Sequence, residues 1–447
     1  MLAAAQWGCQ VPLSFRVMRA DDPFRDRYAR GTRSMTASEI RALFAVASRP
    51  EIVSLAGGMP FTAALPFDTV GDVVADVLAD EGPAALQYAG GQGDPRLREV
   101  LTELMGHEGI RGSGGDVVVT EGSQQALDLL SRMFCDPGDL IVAEGPSYVG
   151  ALSAFSQYQV DVCHVPLDDD GLDPDALAAT LERLERDGRR VKFLYTVPNF
   201  HNPAGVTLAA GRRERVLELA RRHNLLVLED NPYGMLGFES DPPDALRALD
   251  PDNVVYLGSL SKVFCPGLRI GWALVPPALR ERLVLVKEAA DLCSSSFTQA
   301  VAYRWFANYP WRETLKGLRE IYRERRDVML DALGEDVPAG VTWTRPTGGF
   351  YVWVRLPDHL DARAMLAKAI TARVAYVPGG AFYADGQGAS CLRLSYCFPS
   401  PERIREGVRR LAGVVEEELA LARALGGLSA GDPEADQGRP AGWGGVQ

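Results

Sequence analysis

Between residues 110 and 280 the chain alternates short apolar runs with longer stretches in which apolar residues recur every three or four positions. The runs are DVVVT (116–120), LIVA (140–143), VKFLYT (191–196), LLVL (225–228), VVY (254–256) and RIGWAL (269–274). Because they are continuous rather than alternating, they read as strands buried on both faces. Helical spacing is clearest at 126–134 and 212–223, and strand followed by helix in turn predicts a mostly parallel α/β sheet with helices on both sides. Further helices at 277–292 and 311–333 carry arginine and glutamate outward and lead into VTWT, GFYVWVR, a helix at 362–372, VAYV and LRLSY. This second half reads as a smaller α+β domain.

At the front, residues 36–46 repeat apolar positions at helical spacing behind a Thr36 or Ser38 cap, and IVSLA (52–56) runs into the turn GGMP at Gly57 and Gly58. A glycine turn there lets backbone approach a ligand closely. Residues after 425 turn to Gly, Pro, Ala and Asp without apolar period, the composition of a disordered tail. The expected organisation is a disordered or extended lead (1–33), a helical segment (34–55) belonging to the smaller domain, a large domain (56–300), a linker helix with the small domain (301–425), and a tail (426–447). Met18 opens a more typical polar start than Met1.

Composition narrows the partners. The 447 residues are 47% hydrophobic and carry a net charge of -12, with no block of basic residues, which argues against nucleic acid or an anionic membrane. No run approaches the roughly 18 apolar residues of a membrane span. The seven cysteines are scattered, without a C-x-x-C pair, so reduced thiols in a cytosol and no metal site are expected. The first residues lack the basic and apolar regions of a secretory signal.

The candidate chemistry gathers around SLSKVFCPGLRIG, which begins at Ser259. Lys262 stands among Ser259, Ser261 and Arg269. A lysine is a useful nucleophile when its pKa is depressed or when it has condensed with an aldehyde, and two hydroxyls with a guanidinium fork make a phosphate cup. Pyridoxal phosphate answers both requirements. The strand at 116–120 passes through EGSQQ into a helix, so Gly122, Ser123 and Gln124 lie at a helix N-terminus that favours a phosphate. Asp230, closing the run 225–228, is suited to pair with a pyridine nitrogen, although a strand-end aspartate also serves as an ordinary cap. Asn202, in NPAG, and Tyr233, in DNPY, are hydrogen-bonding groups fit for a phenolic oxygen. Arg393 sits in the apolar strand LRLSY, where an unpaired charge is costly and a partner is required. The glycine-rich LQYAGGQGDPR does not have the spacing of a dinucleotide loop.

This motif set resembles the aminotransferases of fold type I, the aspartate aminotransferase superfamily, over roughly residues 41–414, with the motifs in the expected order. Within it the chain is most similar to 2-aminoadipate and kynurenine-type aminotransferases, on SEIR before SLAGG, GSQQALDL, and PNF-x-NP-x-G. The resemblance implies a seven-stranded large-domain sheet and Lys262 as the residue that carries the cofactor. It also implies Tyr148 stacked on the ring, Arg393 binding the substrate α-carboxylate, and Tyr88 reaching the phosphate of a neighbouring subunit in a homodimer. Arg41, on a helix that moves over the substrate, would pair with a distal carboxylate; Gly58 would lie against the substrate. The expected reaction moves an amino group between an L-amino acid (2-aminoadipate, glutamate, branched-chain or aromatic) and a 2-oxo acid. His201 and Ala204 depart from the common glutamine and threonine. Elimination or decarboxylation on the same cofactor remains open at this point, and an aminotransferase-like regulator is disfavoured by the lack of a DNA-binding domain.

Overall fold

The computed structural model describes residues 22–33, 43 and 49–425. The expectations for the first residues, for the helix around Arg41 and for the tail after 425 lie outside the described residues.

Strand β1 (Val53–Ser54) precedes a large sheet of eight strands: β2 (Val117–Glu121), β3 (Leu140–Gly145), β4 (Asp161–Asp168), β5 (Gly171–Leu172), β6 (Val191–Thr196), β7 (Leu226–Asp230), β8 (Val254–Ser259) and β9 (Ile270–Leu274). Their order is β2-β9-β8-β7-β6-β3-β4-β5. The middle five, β8-β7-β6-β3-β4, are parallel, while β9 runs antiparallel to both neighbours. Two-residue β5 adds an eighth, antiparallel edge strand to the seven expected. Its Gly171 has φ +89, and a Cβ there would meet Leu208 Cα at 2.6 Å, so only glycine fits this corner.

Successive residues of a strand face opposite sides, and both sides here are apolar. Ile141, Ala143, Phe193, Tyr195, Leu228 and Val255 belong to a core with the helices Ser123–Phe134, Val149–Gln157 and Pro277–Asp291. Leu140, Val142, Leu194, Val227 and Val254 belong to another with Pro174–Arg186 and Ala210–Arg222. Burial on both faces is the reason the parent segments read as unbroken apolar runs.

The remainder builds on a smaller antiparallel sheet of β10 (Thr342–Trp343), β11 (Tyr351–Arg355), β13 (Val377–Pro378) and β14 (Cys391–Ser395), in the order β10-β11-β14-β13. Between them β12 (Val374–Ala375) pairs in parallel with β1, tying residues 53–54 to the C-terminal part. The helices Trp311–Asp336 and Pro401–Ala424 pack together behind this sheet. Bonds between the two parts include Ser147 N, after β3, donating to Phe382 O at 2.8 Å, and Arg393 Nη1 of β14 donating to Asn202 Oδ1, after β6, at 2.8 Å. Among the described residues no helix is long and apolar enough to cross a membrane.

Candidate active site

The parallel strands end at one edge of the sheet, and a cavity of about 640 Å³ opens beyond them. Ligand sites in such sheets form beyond the carboxyl ends of the strands, because loops from several strands converge there. Twelve sequence-predicted residues border it: Gly58, Ser123, Gln124, Tyr148, Asn202, Asp230, Tyr233, Ser259, Ser261, Lys262, Arg269 and Arg393.

Lys262 closes the short 3-10 turn after β8, and its Nζ donates to the Gly58 carbonyl at 3.2 Å. The side chain is half-buried: the cavity reaches it, while the Tyr233 and Phe350 rings stand 6.0 and 5.7 Å from the amine. Burial pushes the ammonium down to about 8. Cys397 and Asp230 oppose the shift, whereas the Arg393 and Arg269 charges add to it. A lysine held near 8 has a substantial neutral fraction near neutral pH.

Asp230, at the end of β7, is 1% exposed. Its Oδ2 accepts from Tyr195 Oη at 2.8 Å, but Oδ1 has no partner. Burial pushes its carboxyl up to about 7, against the Tyr195 hydrogen bond and the Lys262 charge. An unpartnered buried carboxylate oxygen at a cavity wall is unfavourable unless a donor or cation meets it there.

Around the mouth, Arg269 occupies the left-handed region at φ 56. Its Nη1 donates to Ser261 Oγ at 3.3 Å and its Nη2 to the Glu121 carbonyl at 3.2 Å. Gly122, at φ +73, stands directly behind: a Cβ there would lie 2.3 Å from Nη2, so the glycine lets the guanidinium rest against the N-terminus of the helix Ser123–Phe134. Guanidinium, two serine hydroxyls and free helix N–H groups form an anion cup.

On the opposite wall Arg393 is 3% exposed. It donates to Asn202 Oδ1 and to the Ala56 carbonyl, both at 2.8 Å, while Nε has no partner. The guanidinium carbon lies 4.2 Å over the Tyr351 ring and 5.0 Å from that of Phe382. No carboxylate among the described residues pairs with this buried cation, so the expected partner is not an internal Asp or Glu.

Tyr88 stands apart from the cavity, 78% exposed, and lines a separate cleft of about 380 Å³ with Glu81 and Arg96. Arg41 lies outside the described residues. Sequence reasoning missed Tyr195, which reads as core within a strand, and Tyr351, whose hydroxyl accepts from Tyr233 Oη at 3.4 Å. It also missed Glu144, whose place at the end of β3 resembles that of Asp230 at the end of β7. Among the described residues no cluster of His, Cys, Asp and Glu is arranged to hold a metal ion.

The residues fit a planar heteroaromatic phosphate. Arg269 with Ser259, Ser261, Ser123 and Gln124 offers the anion cup, and Asp230 Oδ1 offers an unpartnered acceptor. Known proteins agree. The sequence model for aminotransferase class I and II matches residues 52–411. An aromatic-amino-acid aminotransferase of Thermococcus litoralis is 42% identical over 387 residues, covering 86% of this chain and 93% of its own. A 2-aminoadipate transaminase of Thermus thermophilus is 38% identical over 400 residues, covering 89% and 98%. The crystal structure of Pyrococcus horikoshii kynurenine aminotransferase, in complex with PMP, superposes with a TM-score of 0.86 at 40% identity, covering 89% of this chain and 99% of that one. The chain therefore belongs to the class I and II aminotransferases and is an enzyme that uses pyridoxal phosphate to move an amino group between an amino acid and a 2-oxo acid.

Proposed function

We propose that the preferred amino donor has an aromatic or large apolar side chain, and that the residues bordering the cavity act in the following roles. The observation that carries the reading is the placement of Arg393: a buried cation without a carboxylate partner, on the same cavity as the Lys262 amine. A substrate α-carboxylate meets a bidentate donor there, and the amino group is directed toward Lys262.

When bound, pyridoxal phosphate supplies an aldehyde that captures amines and a ring that accepts the electron pair released at the substrate Cα. Arg269, Ser259, Ser261 and the N-terminus at Ser123 and Gln124 would hold its phosphate; Tyr148 would cover one ring face. Asn202 and Tyr233 would hold its phenolic oxygen. Asp230 Oδ1 would hold the ring nitrogen, whose positive charge offsets the burial that raises this carboxyl. Lys262 Nζ takes up and returns a proton; a pKa near 8 lets it do both near neutral pH.

Three cations border the cavity among the described residues: Lys262, Arg269 and Arg393. With each assigned, the walls left for a side chain include Met59, Pro60, Thr62, Tyr351 and Phe398, which suit an apolar or aromatic group. The relative named for aromatic amino acids supports this choice. A distal carboxylate, as in glutamate or 2-aminoadipate, would draw on Arg41.

We also propose that residues 56–300 form the domain that carries the cofactor, with 34–55 belonging to the small domain built from 301–425. The enzyme would act as a cytosolic homodimer with Tyr88 reaching the partner's phosphate. In support, Leu86, Tyr88 and Leu292 expose 58% or more of their surface, which a second copy would cover, and the six cysteines among the described residues are free. A half-reaction screen tests the substrate reading. Loss of cofactor absorbance on adding each amino acid should be fastest with aromatic and large apolar donors. Arg41→Ala should raise KM about tenfold for acidic donors and leave apolar donors nearly untouched. Preference for acidic donors that survives in Arg41→Ala would overturn it.

A further inference from the structure

The end of β3 carries another buried carboxylate, Glu144, that does not border the cavity and pairs with no lysine or arginine among the described residues. It is 1% exposed. Its Oε1 accepts from Thr196 Oγ1 and its Oε2 from Val197 N, both at 2.7 Å. Oε2 also lies 3.2 Å from His201 Nε2. The ring N–H points off the carboxylate, so this contact meets the distance but not the angle of a hydrogen bond. His201 Nδ1 accepts from Ala204 N at 3.2 Å, which leaves the proton on Nε2, the atom facing Glu144.

These contacts fall on Thr196, which ends β6, and on the loop that follows it to Ala204, and that loop carries Asn202, whose Oδ1 receives Arg393 Nη1. The backbone of Glu144 works on the other side. Its carbonyl accepts from Ser147 Oγ at 2.6 Å and from His164 Nδ1 at 2.8 Å, and His164 Nε2 accepts from Ala384 N at 2.9 Å. Ser147 N in turn donates to the carbonyl of Phe382, the ring beneath the Arg393 guanidinium. Glu144 thus reaches Arg393 by two routes, through Asn202 and through Phe382.

A buried carboxylate is costly unless donors fill its lone pairs, so a merely apolar strand end would suit the core better. We propose that Glu144, with His201, is a positioning residue that fixes the Asn202 loop and thereby sets Arg393 at the angle needed to take a substrate carboxylate. This rests on the reading that Arg393 binds that group. His201, which departs from the usual glutamine, sets its Nε2 beside the same carboxylate at 3.2 Å, an electrostatic contact rather than an aligned hydrogen bond.

The test measures calorimetric binding of 3-phenylpropanoate, a carboxylate with no amine to react, to the holoenzyme, together with the melting temperature and bound cofactor. Glu144→Gln removes the charge while keeping the shape, and His201→Ala removes the ring. Each should weaken 3-phenylpropanoate about tenfold with cofactor content and melting temperature near wild type, and His201→Gln should restore binding to within about twofold. Arg393→Ala separates the two levels. If it weakens the probe while Glu144→Gln and His201→Ala do not, the positioning role is wrong and the Arg393 reading stands. If it leaves the probe unaffected, the Arg393 reading itself falls, and the positioning role with it. Losses in Glu144→Gln and His201→Ala that track lost cofactor and lowered melting temperature would mark a purely structural role and likewise overturn the proposal.

Discussion

Two neighbouring carboxylates end β7, one on each face of the sheet, and their surroundings differ in kind. Glu229 points to the side of the helix Ala210–Arg222, where its two oxygens accept from the backbone N–H groups of Leu246 at 3.0 Å and Arg247 at 2.8 Å. Nearby Arg213 is also buried, and its three donor groups reach the Leu208 and Asp244 carbonyls and Asn199. Asp230, one residue on, points to the other side with one oxygen on Tyr195 and the other unpartnered. Burial raises both carboxyls. On the Glu229 side the protein itself supplies the partners of both Glu229 oxygens and of the Arg213 guanidinium, which describes a structural site. On the Asp230 side it leaves Asp230 Oδ1 and Arg393 Nε open, which describes a site completed by ligands.

The largest break in that comparison comes from the lysines. Lys287 is 0% exposed and pairs with both oxygens of Asp291 at 3.0 Å, whereas among the described residues Lys262 Nζ hydrogen-bonds only the Gly58 carbonyl. Lys262→Ala should lower kcat by at least about a thousandfold and leave the melting temperature near wild type. Lys287→Ala should do the reverse, losing stability because Asp291 is left short of a charge partner while turnover per folded enzyme persists. Steady-state kinetics and thermal unfolding on both variants check the pair; turnover at the wild-type rate in Lys262→Ala would remove the lysine from the mechanism.

At the carboxylates themselves, Asp230→Asn should reduce kcat about a hundredfold, the scale of one charge-assisted hydrogen bond made to the reacting system. Glu229→Gln should cost roughly 1–3 kcal/mol of stability instead, since an amide cannot accept from both N–H groups. Protein stripped of cofactor adds a pH signature. Asp230 has its folded pKa raised to about 7 from 3.8, so the folded state holds an extra proton in that window. The stabilising contribution is present below the lower value and lost as pH rises through about 7. Asp230→Asn does not titrate, so stripped Asp230→Asn should gain melting temperature over wild type above about pH 7 and lose the advantage near pH 4. A difference that does not change with pH would mean that Asp230 is not held in this environment.

These contrasts also explain what was readable from the sequence. Lys262, Asp230 and Arg393 were legible because each is a charged residue set in or beside an apolar run, and the fixed spacing around Lys262 leaves few alternatives. The parallel strands were legible because burial on both faces makes them unbroken. β4 was not: DVCHVPLD interrupts its apolar positions with His164 and Pro166. The helix Phe67–Ala85 was hidden by Gly71, Gly82 and Pro83, and its backbone departs from helical geometry at Glu81. Tyr195 and Tyr351 could not be separated from core aromatics, because their roles depend on partners 35 and 118 residues away. Glu229 and Asp230 look equivalent in sequence; only the alternation of faces, set by the register of β7, distinguishes them.

The smallest effect belongs to Tyr195, and it probes the same boundary between a structural and a functional face. The ring packs in the core at 5.4 Å from Phe155, an aromatic contact that Tyr195→Phe keeps, so folding should be little affected. Among the described residues the lost hydroxyl is the one donor on Asp230 Oδ2. A hydrogen bond to the charged form holds a carboxyl pKa down, and removing it adds to the rise that burial already causes. The acid limb of the kcat/KM profile should therefore move to higher pH, with activity at neutral pH down by about tenfold or less and the alkaline plateau nearly recovered. If Tyr195→Phe loses activity equally at every pH, the hydroxyl acts by holding the strand rather than by setting the charge on Asp230.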